Sequence, residues 1–158
     1  MVRKFDRKIV MEDGSEYLGY AFGSEEEKIT ELVFNTSMVG YQEILSDPSY
    51  TYQTVVMTYP VIGNYGMAKD DYETFTPTIG GFVVRDYNDL PSNFRSVATL
   101  SEIMKKYNIP GIYGVDTRKI TRSIRDKGTR NVIITDVNTP TKEALGKLAE
   151  FIPPSDAV

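Results

Sequence analysis

The chain contains no cysteine and no histidine. Those two absences exclude disulfides, thiolate or imidazole metal sites, a Ser-His-Asp triad and a Cys-His pair within these residues. Catalysis here would fall to carboxylates, Lys, Tyr or Arg. Positive charge is not in excess either: 18 Lys and Arg face 22 Asp and Glu, for a net charge of -4. No global positive field recommends nucleic acid or an anionic membrane as a partner. Nowhere do about eighteen apolar residues run together, as a membrane span requires. The opening MVRKFDRKIVMEDG carries charge but no apolar core of signal-peptide length. An acidic, disulfide-free chain of this kind is expected in the reducing cytoplasm.

What is present is one domain's worth of sequence, 158 residues of which 41% are apolar. KIVMEDGSEYLGYAFG reads as two strands around Asp13-Gly14, a dipeptide suited to a tight hairpin. ITELVFNTS (29–37), TYQTVVMTYP (51–60) and TIGGFVVRDY (78–87) follow as strands, the latter two with Val-Val centres that imply burial on both faces. Gly80-Gly81 marks a bulge or a close backbone approach. The second half changes character. TLSEIMKKYN places Leu100, Ile103, Met104 and Tyr107 on one helical face over 100–107, with Thr99 and Glu102 spaced as a capping box. IPGIYGV is a short strand, and DTRKITRSIRDKG a helix capped by Asp116 and stopped by Gly128. NVIITD (131–136) is a strand, and TPTKEALGKLAEF a helix with Thr139 as N-cap, Pro140 at its first position, and Leu145 and Leu148 buried. Strands first and strand-helix alternation later predict a mixed sheet with helices on one side, an α/β or α+β layering. The closing Pro153-Pro154-Ser155-Asp156 has the composition of a linker or of a frayed tail.

Few residue patterns point to chemistry. The acidic runs at Glu25 to Glu27 and at Asp70, Asp71 and Glu73 are loop-like and read as solvated rather than as acid-base pairs. VIGNYG (61–66) could let backbone amides meet an anion, but matches no phosphate-loop or dinucleotide pattern and reads equally as a turn. Asn35 to Ser37 is formally a glycosylation acceptor, without the secretory signal that would give it meaning. Arg118, Arg122 and Arg125 recur at helical spacing opposite Ile120 and Ile124. That stripe is either an ordinary solvated face or a surface for an acidic protein partner. Ser49, in Asp47-Pro48-Ser49, is a turn serine; with no imidazole to activate it, any function must be binding through its hydroxyl.

A resemblance joins these residues. EDGSEYLGYAFGSE, ELVFNTSMVGYQEILSDPSY, VVMTYPVIGNYG, GFVVRDYNDLPSNFRS, IPGIYGVDTRKITRSIRDKG and NVIIT, taken in order over nearly the whole chain, resemble the N-terminal domain of the carbamoyl phosphate synthase small subunit, the glutamine-hydrolysing one. The resemblance implies a three-layer β/β/α sandwich of the swivelling type over residues 1–152, with 153–158 opening a linker to a class I glutamine amidotransferase domain that bears the catalytic Cys, His and Glu. The lack of Cys and His then reflects a chain that holds no catalytic residue of its own. It implies that Ser49 helps bind L-glutamine across a domain boundary, and that Ser37 and Met38 of NTSM line the start of an ammonia passage. It implies the large synthetase subunit as partner, in pyrimidine and arginine synthesis, with ATP and Mg2+ acting there; no cofactor, metal, nucleic acid or membrane is expected of this chain. The alternative is a non-enzymatic scaffold that docks the large subunit through Arg118, Arg122 and Arg125.

Overall fold

A computed structural model describes residues 4–36, 41–58, 67 and 68, 77–85, 97 and 98, and 100–152. Strands β1 (Arg7–Met11) and β2 (Glu16–Gly23) form the expected hairpin, pairing Val10 with Glu16 and Ile9 with Tyr17. The turn closes because Gly14 adopts φ +91° while its N–H donates to the Met11 carbonyl.

β3 (Ile29–Asn35), β4 (Gln53–Met57), β6 (Gly81–Val84) and β8 (Pro110–Tyr113) lie side by side in parallel. β9 (Arg130–Asp136) runs antiparallel between β3 and β1, and β2 pairs antiparallel with β8. The mixed α/β class is as the sequence predicts, and the seven strands close edge to edge into a barrel in the order β1-β2-β8-β6-β4-β3-β9. A separate two-stranded sheet pairs β5 (Met67–Ala68) with β7 (Val97–Ala98).

Alternation along the strands sorts the apolar residues into two populations. Ile9, Met11, Leu32, Val56, Val83 and Val132 meet in one cluster inside the barrel, which helix α3 (Thr117–Lys127) completes with Ile120 and Ile124. Val55, Met57, Phe82 and Val84 face outward and are covered by α1 (Tyr41–Ser46), through Ile44 and Leu45, and by α2 (Leu100–Lys106), through Ile103 and Met104. On the opposite wall Val10 and Ile133 take Ala144 and Leu148 of α4 (Thr141–Glu150), with Leu145 packed at the margin. Continuous Val-Val runs are therefore a consequence of strands buried on both faces. Each such side chain contributes about 1.5–3 kcal/mol on leaving water.

Local signals set most of the helix ends. Asp116 accepts from the Lys119 amide at 3.1 Å to cap α3, and Gly128 at φ +85° ends it. α2 ends before Asn108, which sits at φ +56°; Thr99, and with it the predicted capping box, lies outside the described residues. One expectation is corrected. α4 begins at Thr141 with Pro140 at its cap and no side-chain cap bond. Thr139 is instead held in a turn by the Asp136 carbonyl, its hydroxyl bonded to that of buried Thr135 at 3.0 Å, so it is one residue too far out to serve. Helix α1 carried no recognised sequence signal.

The glycine pair at 80 and 81 is a close approach, as expected. A Cβ on Gly80 would sit 2.9 Å from the Gln53 carbonyl, and one on Gly81 would overlap the Thr54 hydroxyl, itself bonded to Thr30 at 2.6 Å. Gly146, in the exposed face of α4, has open space around it. Gly81→Ala is thus expected to lower stability by about 1–3 kcal/mol through overpacking. Gly146→Ala should raise it by about 0.5–1 kcal/mol through helix propensity. Urea denaturation of the two variants measures both, and equal effects would contradict the packing described.

Candidate functional site: the Ser49 turn

The connection from β3 to β4 is built from the inside outward. Ile44 and Leu45 anchor α1 in the core, and Pro48 then starts a single 3-10 turn over Pro48–Tyr50. The Tyr50 amide donates to the Asp47 carbonyl at 3.1 Å and the Thr51 amide to that of Pro48 at 3.2 Å. Tyr50 packs against the core while its hydroxyl accepts from Asn35 Nδ2 at 2.8 Å, tying the turn to the end of β3. From the other side Thr78 donates its amide to the Leu45 carbonyl at 2.8 Å and its hydroxyl to the Asp47 carbonyl at 3.2 Å. The turn is strapped to two neighbouring segments.

Ser49 stands exposed at its apex. Its amide and its hydroxyl both donate to Oδ1 of Asp47, at 2.9 and 2.8 Å. These two bonds, the backbone one first, hold the Asp47 carboxyl below its ordinary range. Beside the turn a 370 Å³ depression is lined by Lys28, Thr51, Tyr52, Ile79 and Phe151, among others. Tyr52 contributes a half-exposed ring from a backbone at φ +65°.

The other predicted residues are placed elsewhere. Ser37 and Met38 lie outside the described residues, as do 61–66 and Asp70, Asp71 and Glu73. Arg118, Arg122 and Arg125 are exposed on α3, with the Arg125 guanidinium 5.7 Å from the Phe34 ring. α3 follows the C-terminal end of β8, whereas the Ser49 turn precedes the N-terminal end of β4. The stripe and the serine therefore lie on different connections of the barrel.

Glu27 binds Lys147 at 2.8 Å and the Thr135 hydroxyl, and these contacts depress its carboxyl, the reverse of what a general acid needs. Among the described residues no group of three His, Cys, Asp or Glu side chains could hold a metal ion, and no helix is long and apolar enough to cross a membrane. Sequence reasoning missed Arg7. It is 6% exposed at the inward-facing start of β1, beside a 520 Å³ depression ringed by Asp6, Glu25, Glu27 and Asp136. Burial lowers its pKa against the opposing pull of those carboxylates. An arginine two residues before an inward Ile9 was the only available signal.

Residues 9–134 match the family model of the carbamoyl-phosphate synthase small chain, CPSase domain. The chain belongs to that family. The carbamoyl phosphate synthase small chain of Fusobacterium nucleatum subsp. nucleatum is 48% identical over 154 residues, which cover 98% of this chain and 43% of that protein. The Oceanobacillus iheyensis small chain is 49% identical over 152 residues, 96% of this chain and 42% of that one. The pyrimidine-specific small chain of Bacillus subtilis is 47% identical over the same shares. This CPSase domain therefore spans about two-fifths of the length of the relatives it matches.

Because Ser49 supplies both bonds that depress Asp47, Ser49→Ala should raise the Asp47 pKa by removing the side-chain one and leaving the amide. In the wild type, a depressed folded value means that Asp47 steadies the turn above the ordinary carboxylate range, and that this support fades as pH falls through the folded value. A carbon-detected NMR titration of the Asp47 carboxyl in both proteins checks it; identical midpoints would refute the hydroxyl bond.

Proposed function

We infer that this chain is the N-terminal portion of the glutaminase subunit of carbamoyl phosphate synthase, and that it lends Ser49 to a glutamine site completed by a downstream amidotransferase domain. The observation that carries the reading is an exposed hydroxyl on a turn strapped to the core from both sides, in a family whose members extend well beyond this domain. Residues 153–158 begin the linker to that domain, and the two walls of the barrel with their covering helices correspond to a β/β/α layering. The protein works in the cytoplasm.

The nucleophile belongs to the downstream domain. There a thiolate attacks the glutamine side-chain amide, ammonia leaves, and water hydrolyses the thioester to glutamate. Ammonia then passes enclosed, beginning at Ser37 and Met38, to the large subunit, where bicarbonate and two ATP with Mg2+ yield carbamoyl phosphate for pyrimidine or arginine synthesis. Enclosure matters because ammonia released into neutral water is captured as ammonium, which is not nucleophilic. The role of this chain is to orient the amino acid and to hold the partner.

A second reading, pure docking, is favoured by one observation: Arg118 and Arg122 are exposed on α3 without an ion pair among the described residues. The two readings separate in the full-length small subunit assembled with the large one. Under the first, Ser49→Ala raises KM for glutamine about fivefold, the value of one hydrogen bond of about 1 kcal/mol. The rate supported by added ammonia stays unchanged. An unaltered KM would exclude Ser49 from the site. Under the second, Arg118→Glu with Arg122→Glu weakens subunit association in a salt-dependent manner and leaves glutamine KM alone; unaltered association would dismiss the stripe as an interface.

A further inference from the structure

We propose that the mouth of the barrel at Arg7 is a ligand site of its own, one that takes a small zwitterion carrying more positive than negative charge, of which a basic amino acid is the simplest kind. The ligand's carboxylate meets the Arg7 guanidinium, and its cationic groups meet Asp6, Glu25 and Asp136. The inference stands apart from the Ser49 reading and does not depend on it.

The observation that carries it is a buried cation without acceptors. Arg7 shares the inward face of β1 with Ile9 and Met11, and only 6% of it is exposed. Its Nε and Nη2 are buried and make no hydrogen bond. A guanidinium does not shed its proton to escape such a position, and a buried charge left unpaired is strongly unfavourable. Four carboxylates stand near enough for their charge to act on it, yet three of them are bonded elsewhere. Asp136, directly opposite Arg7 in the register of β1 with β9, accepts the Asn138 amide at 2.8 Å. Asp6 accepts the Ala21 amide at 2.7 Å, and Glu27 holds Lys147 at 2.8 Å. The fourth, Glu25, is exposed at the rim. Among the described residues no ion pair joins any of them to Arg7.

The 520 Å³ depression that these groups line is of the size that holds a small molecule, and its charges select the kind. One guanidinium stands against four carboxylates, and Lys147 offsets one of them, Glu27. A phosphate or other simple anion would enter a field of its own sign, whereas a simple cation would leave Arg7 still without an acceptor. A zwitterion with its cations in the majority answers both demands. Its carboxylate is the planar, two-oxygen acceptor that matches the guanidinium fork. Its ammonium groups are donors for the lone pairs that Asp6 and Asp136 retain beyond their backbone bonds, and for Glu25.

The test is calorimetry at low salt on the full-length small subunit with three probes: L-lysine; cadaverine, which is lysine without its carboxylate; and L-norleucine, which lacks the side-chain ammonium. L-lysine should bind saturably with a Kd of about 1 mM or tighter, and each of the other two about tenfold more weakly, for loss of one charge-assisted contact. Arg7→Lys keeps the charge and loses the fork. It should weaken L-lysine about tenfold and leave cadaverine unchanged. Glu25→Gln, at an exposed residue between β2 and β3, should weaken L-lysine and cadaverine alike, by about threefold. Absence of saturable L-lysine binding overturns the site. So does an equal loss of L-lysine and cadaverine in Arg7→Lys, because the guanidinium would then not be reading a carboxylate. Undiminished L-lysine affinity in Glu25→Gln would take the acidic rim out of recognition and overturn the assignment as well. Should Arg7→Lys fail to fold, the three probes on the wild type and Glu25→Gln still decide. Glutamine KM is not among the readouts, so failure here leaves the Ser49 reading untouched.

Discussion

Closure of the sheet is the constraint on which the rest of this structure depends. β9 enters antiparallel between β3 and β1, so the curved sheet leaves no unpaired edge among its seven strands. Two apolar surfaces then have to be covered. The inner one fills the barrel and is completed by Ile120 and Ile124 of α3, while the outer one is shared between α1 and α2 on one wall and α4 on the other. Opening the ring would expose both at once.

The same closure positions the chemistry. Parallel strands need connections that return the chain to the starting end, and the return from β3 to β4 is made by α1 and the Ser49 turn. That turn cannot wander, because Tyr50 and Asn35 hold one flank and Thr78 the other. Under the proposed reading, this framework is what presents the exposed Ser49 hydroxyl to a neighbouring domain. One Asp47 carboxylate oxygen gathers both the amide and the hydroxyl of Ser49 and so closes the turn on itself.

Charge is distributed with similar economy. Lys147 and Thr135 occupy Glu27, and Lys8 and Thr141 occupy Glu16, so the carboxylates nearest α4 serve as struts between that helix and the barrel. Arg7 is different in kind, a nearly buried cation supported by four carboxylates at the barrel end. The stripe on α3 is a basic surface that the apolar pattern of its helix forces outward.

Much of this was legible in the chain itself. Asp13-Gly14 specified the hairpin, Asp116 and Gly128 bracketed α3, and the Val-Val centres announced strands covered on two sides, because each is a short-range consequence of backbone sterics or of period-two burial. DPSY singled out Ser49 through family resemblance, whereas its residues alone could say only that a serine sits in a turn. Barrel closure, the cap taken from Thr139 and the burial of Arg7 were settled by tertiary structure. Each depends on which strand ends meet, and pairing between residues a hundred positions apart leaves no mark on the sequence near either one.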